Sequence, residues 1–437
     1  MIRKKKHLSE VDLYQLKVSD YWRAFWMESF SYWMICGYLF TEYVRPQSIW
    51  TWADVLPWAK LFLVFALVGW FFNSKEKWQN SRISRWLLLF LFSVIVSSVF
   101  AYWPEYSYDR FSYFGLWVLI YFLIINIVNS EKRLIIFLLI FLVASYKISL
   151  SLSLVWASRG FSFTDWGLQG PPGFFQNSGE LAIQMLVYWP IAAALALSFS
   201  SQLSRVKYWI MMSFPITAAM VILGASSRGG QLALLVQLAV FFPRKLLNPK
   251  AIVALLVILA LGLALLPESQ KERFQSIGDD RSSRQRLLYW ENGIEMMNDH
   301  PVTGVGYFNF APYYERYYTD DMLYDKAQLA HNIFIQVGAD LGYLGLSIYL
   351  MLIVITMLET KRLEVIAKGL NSAILRILPR YLNVSFLGFL VAGQFVSVVY
   401  YPFMWIHLAF VVCTGNLIRK RAAERKHVKP GKQIVRR

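Results

Sequence analysis

The side chains that could do chemistry in this chain are a few arginines and one histidine, spaced over about a hundred residues. Arg228 sits in SSRGG, between two apolar runs. An arginine there is costly unless it pairs or reaches an anionic ligand. The glycines beside it let a ligand or another backbone come close. Snorkelling to the membrane interface is an equal alternative. Arg281, Arg284 and Arg286 open a run, RSSRQRLLYWENGIEMMND, with helical character. The guanidinium fork suits phosphate oxygens, so three in six residues could bind a pyrophosphate. The competing reading is a solvated helix face paired with Asp279, Asp280 or Glu291. His331 closes a long polar segment. Its ordinary pKa near ~6.5 lets it take a proton at neutral pH, as a general base toward a hydroxyl would. A polar cap on the next helix is the alternative. His300, before Pro301 and a glycine turn, reads as a helix end.

Other polar residues sit at apolar boundaries. Glu28 and Asp340 fall within or near apolar runs, where an acid is either functional or paired with an arginine. Glu180 and Asn177, in PGFFQNSGELA, stand at the outer end of a span and could join the same site. The aromatics around 289–324, Tyr307 among them, could stack on sugar rings or form an interfacial belt.

The elements that must hold these residues are membrane helices. Of 437 residues, 57% are hydrophobic and 16% charged, well below the roughly one-quarter charged that soluble domains carry. The mean hydropathy is +0.42. The net charge of +17 lies in short loops and at the ends, which points to topology and not to nucleic acid. The two cysteines, Cys36 and Cys413, lie in apolar runs, so no disulfide framework is expected. The basic start MIRKKKHLSE is not followed by an apolar signal core. No phosphate-binding glycine loop, HExxH, GxSxG or acidic metal pair is present, so no cofactor or metal is expected.

The expected fold is all-α and polytopic, with about 12 transmembrane helices. Spans are expected near 27–44, 58–73, 85–103, 112–128, 132–156, 179–199, 206–225, 229–242, 250–267, 331–358, 380–398 and 400–418. Residues 1–26 read as a basic arm plus an amphipathic helix, with Leu13, Leu16 and Trp22 on the membrane surface. Residues 27–267 hold spans one to nine. Residues 268–330 form a large, partly helical loop between spans 9 and 10, long enough to need a function. Residues 331–418 hold the last three spans, and 419–437 form a basic tail. Alternate loops such as NSEKR and PRKLLNPK are basic, which puts both termini in the cytoplasm and the large loop outside. No internal repeat supports an inverted-repeat transporter.

In order along the chain, PPGFFQNSGELA, SSRGG, RLLYWENGIEMMNDHPVTGVGYFNF and HNIFIQVGADLGYLG resemble the O-antigen ligase and polymerase superfamily of bacterial envelope enzymes. The likeness covers about residues 170–350. Asp340 stands where that family more usually has Glu, and Glu180 where Asn is common. The resemblance implies a twelve-span inner-membrane glycosyltransferase with a periplasmic site. The donor would be a glycan on undecaprenyl pyrophosphate. The acceptor would be a sugar of the lipid A core in a ligase, or a second lipid-linked unit in a polymerase. By position, Arg228 and Arg286 would hold the pyrophosphate with Arg284 as neighbour, and His331 would activate the acceptor hydroxyl. A solute transporter would instead line a mid-bilayer path with charge. A structural scaffold would leave the ordered Arg and His set without a purpose.

Overall fold

The computed structural model describes residues 10–50, 52, 54–73, 78–164, 167–241 and 281–428. The expected span at 250–267, the loop residues 268–280, the basic arm 1–9 and the tail 429–437 lie outside the described residues. All regular structure among the described residues is helical. The principal helices are α1 (Val18–Trp26), α2 (Phe30–Val44), α3 (Trp58–Phe71), α4 (Arg82–Val99), α5 (Pro104–Ile127), α6 (Glu131–Ser158) and α7 (Ser178–Phe199). They continue as α8 (Arg205–Gly224), α9 (Arg228–Phe241), α10 (Arg281–Asp299), α11 (Phe310–Tyr317), α12 (Ile333–Ala367), α13 (Ala373–Ala392) and α14 (Pro402–Val428). Eight of these are long and apolar enough to cross a bilayer, and α3 and α9 are shorter apolar helices. The chain is a multi-pass membrane protein.

Helix starts follow local chemistry. Ser29, Ser81, Ser130, Ser204 and Ser372 each accept a hydrogen bond from a backbone N–H in the first turn of the helix they precede. Such caps satisfy amides that have no partner inside the helix. Several helices run past their expected ends. α5 begins at Pro104 and not near 112, α12 continues to Ala367, and α13 starts at Ala373. The segment ETKRLEVIAK is rich in good helix formers, so its charges end the apolar run without ending the helix.

At the centre stand α7 and the first part of α14, up to Ile418, both almost wholly buried, while α8 and α12 show much of their surface outward. Gln237 of α9 ties the centre together. Its Nε2 donates to the carbonyls of Leu186 in α7 and Val384 in α13, both at 2.9 Å, and its Oε1 accepts from Trp189 Nε1 at 2.7 Å. In an apolar interior a satisfied amide fixes register, because slipping would strand its polar atoms.

Two interruptions shape the end of the bundle where α12 begins. α12 breaks at Gly342, whose φ of 68° and ψ of −176° only glycine adopts readily. The break frees two carbonyls. Ala339 O accepts from Val305 N at 2.8 Å, and Asp340 O accepts from Gly306 N at 3.2 Å. The Asp340 side chain accepts from Phe310 N at 3.2 Å and from Tyr400 Oη at 3.1 Å. Asp340 is thus buried and satisfied, capping α11 and docking the HPVTGVG turn. The second interruption is 393–401. A continuous apolar run was expected to break only near Tyr400, yet nine residues there leave the helical conformation before Pro402 restarts it.

Glu28 is likewise structural. It accepts from Arg133 Nε at 2.6 Å, and Arg133 also donates to Ile127 O and Ser29 Oγ. Leu13, expected on the membrane surface, is fully buried in the core, whereas Trp22 of the amphipathic α1 is exposed.

Candidate active site

Three segments far apart in sequence meet at one cavity of about 840 Å³. Its lining includes Ser227 and Arg228 at the start of α9, Arg281, Arg286 and Trp290 of α10, and His331 ahead of α12. Asn177 to Gly179 at the start of α7 and Phe395 and Val396 of the 393–401 segment complete it.

The approach of α9 depends on its two glycines. A Cβ on Gly229 would meet the Phe395 ring at 2.5 Å, and one on Gly230 would meet Ala182 of α7 at 2.7 Å. Side chains there would push Arg228 away from the cavity. Ser227 Oγ accepts from Gly230 N at 3.2 Å, capping α9, and Asn177 Oδ1 accepts from Gly179 N at 2.8 Å, capping α7. Two helix N-termini therefore face the cavity, and the aligned peptide dipoles favour negative charge there. Ser226, just before, has a left-handed φ of 54°.

α10 is fixed on its other faces. Asn292 Nδ2 donates to Tyr314 Oη at 2.9 Å and to Asp321 Oδ2 at 2.8 Å. Trp290 Nε1 donates to Ala330 O at 2.9 Å, which joins α10 to the residue before His331. His331 N donates to Ser397 Oγ at 2.7 Å, and its Nε2 pairs with Gln328 Oε1 at 2.9 Å. His331 also has a positive φ, 51°. A non-glycine residue in that conformation is uncommon and costs energy. Burial, with the positive charge of Arg286 as a second cause, lowers the imidazole pKa to about 4. The ring is therefore neutral at pH 7 and can accept a proton.

The structure brings together Arg228, Arg281, Arg286, Asn177 and His331. Arg281 is also anchored, with its guanidinium on the Leu323 carbonyl and 4.6 Å from the Tyr324 ring centre. Arg284, Glu180 and Tyr307 line no part of the cavity. Arg284 is exposed. It lies two residues from Arg286, which turns it to the opposite side of a helix with 3.6 residues per turn. Glu180 completes a capping box, its Oε2 accepting from Asn177 N at 3.3 Å. Tyr307 is fully buried and donates to Arg110 O at 3.2 Å. Trp290 is among the aromatics that the sequence offered for stacking; Ser227, Phe395 and Gln328 were not singled out from sequence. The Gly393 to Pro402 interval, with Ser397 inside an apolar run, was the available signal for the third wall.

Chemically, the cavity offers guanidinium forks, two helix N-termini and one neutral imidazole. Among its described lining residues there is no Asp or Glu. Such a lining suits a polyanion beside a hydroxyl that must lose a proton.

Residues 213–350 match the O-antigen ligase family, and the matched stretch contains Arg228, Arg286 and His331. That match supports placing the chain in the O-antigen ligase superfamily, whose activity is of ligase or polymerase type. No curated protein sequence matches the chain.

Proposed function

We propose that this protein is a membrane glycosyltransferase that moves O-antigen polysaccharide from undecaprenyl pyrophosphate to a sugar hydroxyl of the lipid A core. The observation that carries the reading is the convergence of Arg228, Arg286 and His331, from three distant segments, on one cavity. In the proposed step His331 takes the proton of the acceptor hydroxyl. The hydroxyl oxygen bonds to the anomeric carbon as the bond from that carbon to the diphosphate breaks. The diphosphate leaves with the electron pair. Arg228 and Arg286 stabilise the charge that develops on it, where preorganised donors lower the barrier most. One displacement inverts the anomeric centre. The alternating basic loops support a reading with this end of the bundle in the periplasm and both termini in the cytoplasm of an inner-membrane protein.

The test uses purified full-length protein, a lipid-diphosphate-linked glycan, and either core lipid or a second lipid-linked unit. Transfer to core lipid by the wild type, lost in His331→Ala, Arg228→Ala and Arg286→Ala proteins that still fold, is the expected result. Elongation with the lipid-linked acceptor alone would assign a polymerase of the same superfamily. Undiminished transfer by all three variants would remove the enzyme reading as drawn.

A further inference from the structure

The backbone around His331 is pinned on several sides. His331 N is bound to Ser397 Oγ, and Ala330 O accepts from Trp290 Nε1. Three residues earlier, Gln328 N donates to Tyr289 Oη at 2.8 Å. Gln328 and His331 are thus held by α10 on one side and by the 393–401 segment on the other. His331 itself holds a left-handed φ of 51°. Their side chains meet at 2.9 Å, Nε2 against Oε1. Tyr289 and Trp290 are neighbours on α10, the helix that also supplies Arg286. The placement of the imidazole and of the arginine therefore has one common support.

We propose that Gln328 is a positioning residue that sets the tautomer and the aim of the His331 imidazole. This rests on the general-base reading of His331 given above. A neutral imidazole carries one N–H and one lone pair. With Gln328 Oε1 accepting from Nε2–H, the lone pair lies on Nδ1, and Nδ1 takes the acceptor's proton. The imidazolium that results keeps its Nε2–H on the same carboxamide oxygen, so the ring need not turn during the reaction. The chemistry also accounts for an amide at this position. A carboxylate would hold the imidazolium more strongly, but it would add negative charge where a diphosphate must bind. Arg228, Arg281 and Arg286 are the charged groups among the described residues lining the cavity that His331 faces. A neutral acceptor leaves their field undiminished.

Two substitutions separate aim from bulk. Gln328→Met keeps the length and removes the acceptor. Gln328→Glu keeps the acceptor and adds charge. Steady-state transfer is measured with the full chain in lipid nanodiscs, giving kcat and KM for the diphosphate donor from pH 4 to 8. Gln328→Met is expected to lower kcat about 10- to 100-fold, with donor KM within about threefold, as loss of an aligned base predicts. Gln328→Glu is expected to keep more of kcat than the Met variant, to move the acid limb of the rate profile to higher pH, and to raise donor KM. Wild-type kcat in Gln328→Met, or an unshifted acid limb in Gln328→Glu, would overturn the assignment. If His331→Ala is inactive while Gln328→Met matches wild type, only the role of Gln328 fails. If His331→Ala is itself active, the general-base reading fails first.

Discussion

The two ends of the bundle each hold a cavity rich in arginine, and they are built differently. α7 and the short turn that follows it run from one, at Asn177 to Gly179, to the other, at Ser201 and Gln202. The second cavity, about 620 Å³, is lined by Arg376, Arg421 and Arg425 together with Glu10, Glu131 and Glu424. There the charges are spent on each other. Arg421 lies 2.9 Å from Glu10, 3.5 Å from Glu131 and 3.7 Å from Glu424, and Glu131 also accepts from Ser372 Oγ at 2.6 Å. These contacts tie the N-terminal segment, α6, the α12–α13 turn and α14 into one clasp. The first cavity has arginines, an imidazole and no carboxylate among its described lining residues. A phosphate entering it meets no repulsion from those residues. The lesson is that the arginine count does not mark a site. The acids interleaved with the arginines decide whether the charge serves architecture or a ligand.

The comparison can be broken most directly at the first cavity. Arg228→Ala or Arg286→Ala is expected to cut transfer about 10²- to 10³-fold, the usual loss when one donor to developing charge is removed. Thermal unfolding in detergent should stay close to wild type. A large drop in midpoint with normal turnover per folded molecule would reverse the assignment of the two ends.

The opposite result is expected at the other end, beside the clasp. Arg133→Ala leaves Glu28 half of a nearly buried pair and should cost about 3–5 kcal/mol of stability. Turnover per folded molecule should stay near wild type. Equilibrium unfolding and active-site-normalised rates check this together.

A pH titration sharpens the contrast. The folded-state pKa of His331 is lowered from 6.5 to about 4. The unfolded chain thus binds the extra proton first, and this group's contribution to stability is complete above pH 6.5 and declines as pH falls toward 4. For the same reason kcat/KM should hold through pH 6 and fall only as pH approaches 4. A limb at 6.5 in the free enzyme would mean that His331 is solvated. The smallest effect is expected for Asn177→Ala, which removes the α7 cap at the cavity and should cost about 1 kcal/mol in unfolding free energy, with a loss of transfer well below that of the arginine variants.

Much of this was legible in the sequence. The apolar runs gave the helices, because a span must satisfy its backbone internally. The run from Arg281 to Asp299 is a helix where the pattern placed one. Arg228 stood out because an arginine between apolar runs is costly, whereas Arg286 and His331 were raised above their bland alternatives by the family resemblance. What was not legible depends on facing and on breaks. Nothing in composition separates Arg284 from Arg286, yet their 200° offset on α10 sends them to opposite sides. Glu180 and Tyr307 are polar residues near the right place whose partners, Asn177 N and Arg110 O, lie in the scaffold. The 393–401 segment is as apolar as the helices around it. Its irregular backbone is tolerated where protein covers it, so hydropathy does not report it.

The interruption at Gly342 has a mechanical consequence. Beyond it, α12 continues as a helix across the bilayer to Ala367. Before it, the first turns of α12 are clamped through Ala339 and Asp340 to the 300–310 turn, and through Ile333 to Gly393; just after it, Tyr343 N donates to Pro301 O at 2.8 Å. The hydrogen bonds that fix His331, to Ser397, to Gln328 and through Ala330 to Trp290, thus lie outside the bilayer-crossing part of α12.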